Sequence, residues 1–174
     1  MASILKVLAS PSSPPSLHQG KDTRDAVYVA AVPLRAAKGP AQMLMSAAYS
    51  LGSWDLQHFM VLVKPDPPQA PIFVFDFQPQ DPENVLVALA VVSGRNIPGV
   101  ILKRKLQRMP RSRCWFVGYS NGNSIDVANR FNKEWSTSLV VGKHDCRHYT
   151  DGLVRCLTGE QCVLDSLRSG NNMQ

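Results

Sequence analysis

The feature that most limits how this chain can fold is a pair of β-rich runs, LQHFMVLV at 56–63 and IFVFDFQ at 72–78, parted by KPDPPQAP. Valine, isoleucine and phenylalanine fit a pleated, half-buried surface. Pro65, Pro67, Pro68 and Pro71 lack the N–H a strand needs to continue. The runs therefore predict a β-hairpin with a stiff connection. Alternation sorts the side chains: Leu56, His58, Met60 and Leu62 share one face, as do Ile72, Val74, Asp76 and Gln78 on the partner. Phe59, Val61, Val63, Phe73, Phe75 and Phe77 point the other way, towards packed helices. A turn symmetric about residues 67 and 68 sets His58 near 77, within reach of Asp76 or Gln78 after a one-residue shift. An aspartate inside an otherwise apolar strand needs a partner if buried and faces water if the strand lies at an edge; the pattern leaves both open.

Further strands are expected at 26–34, 100–106 and 114–119, with a short apolar run at 139–141. Helices are expected at 41–49 after Gly39-Pro40 and at 82–93, where Asp81 is the N-cap and Pro82 the first helical residue. Asn123-Ser124 opens another, along which Val127, Ala128, Phe131 and Trp135 recur at helical spacing; Trp135 is read as core. A last helix runs from Cys146 to Leu157 and stops at Gly159. The class is α+β, an antiparallel sheet packed with helices.

With 174 residues, 44% of them hydrophobic, the chain suits one domain, here 25–168. The Ser-, Pro- and Ala-rich segment 1–24 reads as a disordered tail or an organelle transit segment, and 169–174 as a second tail. No apolar run approaches the roughly 18 residues of a membrane helix, so a soluble protein without an integral membrane segment is expected. Four cysteines without a CxxC pair point to free thiols in a reducing compartment, cytoplasmic or nuclear, or a chloroplast or other organelle if 1–24 is a transit segment.

The formal net charge of +6 is concentrated at Lys103, Arg104, Lys105, Arg108, Arg111 and Arg113, with no acid among them. This segment either meets an acidic, anionic partner or is a solvated basic strand and loop. No aromatic residue interleaves it before Trp115 and Phe116, as nucleic-acid stacking would need.

Cys146 is the candidate thiol. A helix N-terminus favours thiolate through its unpaired N–H groups and dipole, with Asp145 or His144 as N-cap and Leu153, Val154 and Leu157 as the buried face. Cys156 and Cys162 lie near or beyond the helix's other end, and Cys114 starts a strand, so these three are read as structural. A thiolate needs an imidazole to take and return a proton. His18 lies in the tail, His148 points about 200° away from Cys146 around the helix, and His144 sits in a loop that fixes it weakly; His58, on a strand, is the expected base. Asp76 or Gln78 would hold its ring, and the Cys146 N–H, with Gln57, would donate to an oxyanion. His144-x-Cys146-x-His148 contains favoured zinc ligands, but alternate residues around a helix start diverge and no fourth ligand is evident. No metal or cofactor is expected.

The segment DCRHYTDGLVRCLTGE resembles the N-C-x-H-F helix of the circularly permuted papain-like proteins, which include LRAT-type acyltransferases and PPPDE peptidases. AVYVAAVPL and SWDLQHFMVLV are similar to the PPPDE opening, and LTGE is closer to PPPDE than to LRAT. The resemblance covers about 26–165, with specific matches around His58 and Cys146. It implies a permuted papain-like fold with the cysteine helix near the C-terminus, and a thiol hydrolase with Cys146, His58 and Asp76 in that family's order. A peptidase or isopeptidase acting on a ubiquitin-like conjugate is the expected form. The alternatives are an LRAT-like acyltransferase taking an acyl donor, and a non-catalytic interaction protein using 103–113. The chain departs from the pattern at Asp145, where the family has Asn: a carboxylate beside a thiol disfavours thiolate unless it is offset.

Overall fold

The computed structural model describes residues 24–33, 57–66, 69–84, 86–87, 90, 93–111 and 113–171. The expected tail at the N-terminus (all but Arg24) and the helix at 41–49 lie outside them.

Among the described residues six strands form one antiparallel sheet: β1 (Ala26–Pro33), β2 (Gln57–Lys64), β3 (Ile72–Pro79), β4 (Ile97–Leu106), β5 (Cys114–Tyr119) and β6 (Ser138–Leu139), in the order β5-β1-β2-β3-β4-β6. The hairpin of β2 and β3 pairs Val61 with Phe75, Leu62 with Val74 and Val63 with Phe73. That is one residue beyond a turn centred between 67 and 68, and continuing it sets Asp76 diagonally across from His58. β4 begins three residues before the expected 100, because Pro98 and Gly99 pair with Ser138 and Pro79 instead of breaking the strand. Gly99 is required there: a Cβ would stand 2.4 Å from the Phe77 ring.

Three named helices follow in the described residues: α1 (Ser124–Glu134), α2 (Cys146–Thr158) and α3 (Val163–Asn171). α1 is capped by Asn123, whose side chain accepts from the Asp126 N–H. α2 ends at Gly159, which takes φ 86°, a left-handed conformation that glycine adopts without steric cost. α3 extends into the segment read as a C-terminal tail; Val163 and Leu164 bury its first turn, and Asp151 of α2 accepts from the Leu164 N–H. Of the expected helix at 82–93, Leu86, Val87 and Ala90 are helical and much of the rest lies outside the described residues. Its start is not the Asp81-Pro82 signal, since Pro82 and Glu83 form a turn and it is Asn84 whose side chain accepts from the Leu86 N–H.

The sheet has two apolar faces. Val27, Val29, Phe59, Val61, Val63, Phe75 and Phe77 pack with Ala128, Tyr149, Leu153, Val154 and Leu157 of the helices. The opposite face gathers Ala30, Met60, Leu62, Ile72 and Val74. Each fully buried side chain of this size contributes roughly 1.5–3 kcal/mol over leaving it exposed. Trp135 packs in the aromatic cluster of Phe77, Phe131 and Tyr149. Among the described residues no helix is long and apolar enough to cross a membrane.

Candidate active site

β2 and β3 deliver an imidazole and a carboxylate to the same place. His58 Nε2 lies 3.0 Å from Asp76 Oδ2, and Asp76 is fully buried. The aspartate is therefore the inward, partnered residue rather than a water-facing edge residue. Gln78, the other candidate for holding the ring, lies further along β3 opposite Val100 and makes no side-chain hydrogen bond to a described residue.

α2 supplies the thiol from the other side. Cys146 is its first residue, and Sγ lies 3.9 Å from the carbonyl oxygen of Gln57, the first residue of β2, in a long and weak S–H contact. Gln57 is the chain neighbour of His58, and Cys146 joins Asp76 in favouring the protonated form of the His58 ring. Burial alone would push the His58 ring towards neutrality, but Asp76 and Cys146 outweigh it and raise its pKa from 6.5 to about 9. The ring is therefore an imidazolium at neutral pH.

The carboxylate of Asp145 is engaged by groups of its own helix turn and the loop before it. It is the N-cap of α2, accepting from the Arg147 N–H at 3.0 Å and from the Gly142 N–H at 2.7 Å. It also pairs with the Arg147 guanidinium at 2.7 Å and with His148 Nδ1 at 2.9 Å. Burial alone would raise the Asp145 carboxyl, but Arg147, the Gly142 N–H and His148 prevail and hold it well below the usual carboxylate range. The charge expected to oppose the thiolate is thus offset within its own helix turn.

Capping also leaves the first-turn amides of α2 unequal. The Arg147 and His148 N–H groups are served by the Asp145 side chain and Tyr149 N–H by the Asp145 carbonyl, whereas Cys146 N–H has no acceptor among the described residues. This amide is available to an oxyanion forming next to Sγ. Gln57 lies beside it with its side-chain oxygen buried and lacking a hydrogen-bond partner among the described residues.

The remaining histidines near the thiol are committed elsewhere. His144 stacks on Trp135 with ring centroids 4.3 Å apart, and its Nε2 lies 3.0 Å from the Ser136 carbonyl. His148 closes the capping box with Asp145. Among the described residues no group of three or more His, Cys, Asp or Glu side chains is arranged to hold a metal ion.

The basic segment is divided by strand alternation. Lys103 lies over the Phe73 and Phe75 rings and donates to Asn129 Oδ1 at 3.0 Å, while Lys105 lies over Phe73. Arg104 faces the other way, and its Nη2 reaches Asp76 Oδ2 at 3.0 Å. Arg108, Arg111 and Arg113 are exposed in the β4–β5 loop, where Arg113 adopts φ 49° and its carbonyl accepts from the Ala31 N–H. Arg104 is the site residue that sequence reasoning left in the basic patch. Its signal was the alternation of β4, which must turn one cation of the Lys-Arg-Lys run towards the face that carries Asp76.

Set against protein-family models, curated proteins and solved structures, the chain matches none of them.

Proposed function

We propose that this chain is a thiol hydrolase of the circularly permuted papain-like type, a peptidase or isopeptidase that works through a Cys146 acyl-enzyme. The observation that carries this reading is His58 paired with Asp76 at 3.0 Å, while the Cys146 thiol lies 3.9 Å from the carbonyl oxygen of the adjoining Gln57. The order of the parts along the chain, histidine strand, carboxylate strand and then cysteine helix, supports the permuted arrangement.

The chemistry follows from these positions. An imidazolium beside the sulfur stabilises thiolate. The thiolate attacks the carbonyl carbon of an amide or isopeptide, and the oxyanion takes the Cys146 N–H. As the C–N bond breaks, the His58 nitrogen not bonded to Asp76 gives its proton to the leaving amine. Water then attacks the thioester, His58 takes a proton from it, and the carboxylic acid leaves as Cys146 is released. An amine or hydroxyl in place of that water would make the same site an acyltransferase; the PPPDE-like ends of the chain favour water and a ubiquitin-like protein conjugate.

Labelling of the four free cysteines with iodoacetamide at neutral pH tests this. Cys156 and Cys162 are exposed and Cys146 only half-buried, so accessibility alone would label Cys146 more slowly. The thiol site requires the reverse order, with His58→Ala slowing Cys146 by about tenfold or more. Equal, slow labelling of all four removes the enzyme reading.

A further inference from the structure

Arg104 and His58 address the same atom. Both approach Asp76 Oδ2 at 3.0 Å, while Oδ1 is buried without a hydrogen-bond partner among the described residues, and the carboxylate as a whole is shielded from water. A buried carboxylate stays ionised only when opposite charge or hydrogen bonds compensate its lost hydration. While His58 is an imidazolium, two cations serve this one oxygen. Once His58 has handed its proton to a leaving group, Arg104 is the cation that remains on it, since a guanidinium does not deprotonate.

We propose that Arg104 is a positioning residue of the Cys146–His58–Asp76 site, holding the Asp76 carboxylate in place through the half of the cycle in which His58 is neutral. The proposal rests on the thiol function argued above. The strand register supports it: Asp76 pairs with Leu102 and Val74 with Arg104, which sets Arg104 diagonally across from Asp76. Its neighbours Lys103 and Lys105 lie over phenylalanine rings on the opposite face. Of the Lys-Arg-Lys run, Arg104 is therefore the cation aimed at the site. The other groups facing the pair are Cys146 and Tyr149 of α2, and β1 contributes the apolar Val32 opposite His58.

Arg104 does not touch the reacting atoms, so the decisive readout is the proton affinity of His58. Histidine-ring NMR of the full chain follows the His58 titration in the wild type, in Arg104→Gln, in Arg104→Lys and in Arg155→Gln, the last removing a cation from the far end of α2. Without the guanidinium, the neutral-ring state loses the cation left on Asp76, and the His–Asp pair holds its proton more tightly. Arg104→Gln should move the His58 midpoint upward by about one pH unit, Arg104→Lys should restore most of that change, and Arg155→Gln should leave it in place. Arg104→Met keeps the apolar stem and repeats the test if the glutamine variant does not fold. A midpoint that stays or falls when the charge is removed overturns the proposal. Equal labelling of the four cysteines would instead sink the thiol reading, so the two failures are distinguishable.

Discussion

His58 sits among groups that pull its proton in opposite directions. Burial favours the neutral ring, Asp76 and Cys146 favour the cation, and the balance lies at about 9 against 6.5 for a free imidazole. A base that binds its proton more tightly when folded stabilises the fold wherever that proton is on. The contribution is complete below about pH 6.5 and is lost as pH rises through about 9. Its ceiling is roughly 3 kcal/mol. Urea unfolding of wild type and His58→Gln should therefore show a stability difference that shrinks across this window, and a difference independent of pH would mean that the folded ring is not charged. His58, Asp76 and Cys146 were legible in the sequence because alternation, helix start and chain order bear on each directly. Arg104 was not, because a run of like charges reads as a solvated surface until the partner strand of β4 is known.

α2 carries the thiol, and its cap determines how that thiol is presented. Asp145 binds the Arg147 N–H, the Arg147 side chain and His148 at once. Asp145→Ala removes the cap and should cost about 1–2 kcal/mol in urea denaturation. Asp145→Asn keeps an acceptor oxygen and should cost less. Because the carboxylate is already turned onto Arg147, Asp145→Asn should change the iodoacetamide rate at Cys146 by less than about fivefold, the equivalent of ~1 kcal/mol for a partly exposed pair. A larger gain in rate would show that the carboxylate opposes the thiolate after all. The element boundaries that sequence reading placed well are those set by strong local chemistry: the hairpin strands within one residue, and α2 between Asp145 and Gly159. It erred where local chemistry misleads. Asp81-Pro82 resembles a helix start but forms a turn, and Pro98-Gly99 resembles a break but belongs to β4. α3 was missed because its sequence, VLDSLRSGN, is largely polar and is anchored mainly by its first two residues.

The layers of the molecule meet at Phe77. Its ring lies against Trp135 of the α1 C-cap, Tyr149 of α2 and His144 of the loop between them, and it fills the space that Gly99 of β4 leaves open. Gly99→Ala would place a Cβ 2.4 and 2.6 Å from that ring and 3.1 Å from the Thr137 carbonyl oxygen. Overpacking of this kind costs about 1–3 kcal/mol. The displaced ring should carry the disturbance to both helices, so Gly99→Ala should lower Tm and alter the near-UV tryptophan signal together; an unchanged near-UV spectrum would mean that the ring is accommodated locally. The α+β class was legible from the pattern of runs, but the strand order was not. Pairing β1 with β5 brings Val27 to Gly118 and Tyr28 to Phe116, contacts between distant residues that no local pattern specifies.

The same long-range assembly affects how the protein is made. His58 and Asp76 leave the ribosome well before Cys146, and α2, which covers the Phe59, Phe75 and Phe77 face of the sheet, emerges only after all the strands of that face. A nascent chain halted before α2 thus lacks Cys146 and presents a bare apolar sheet face, which makes it a natural client for chaperones.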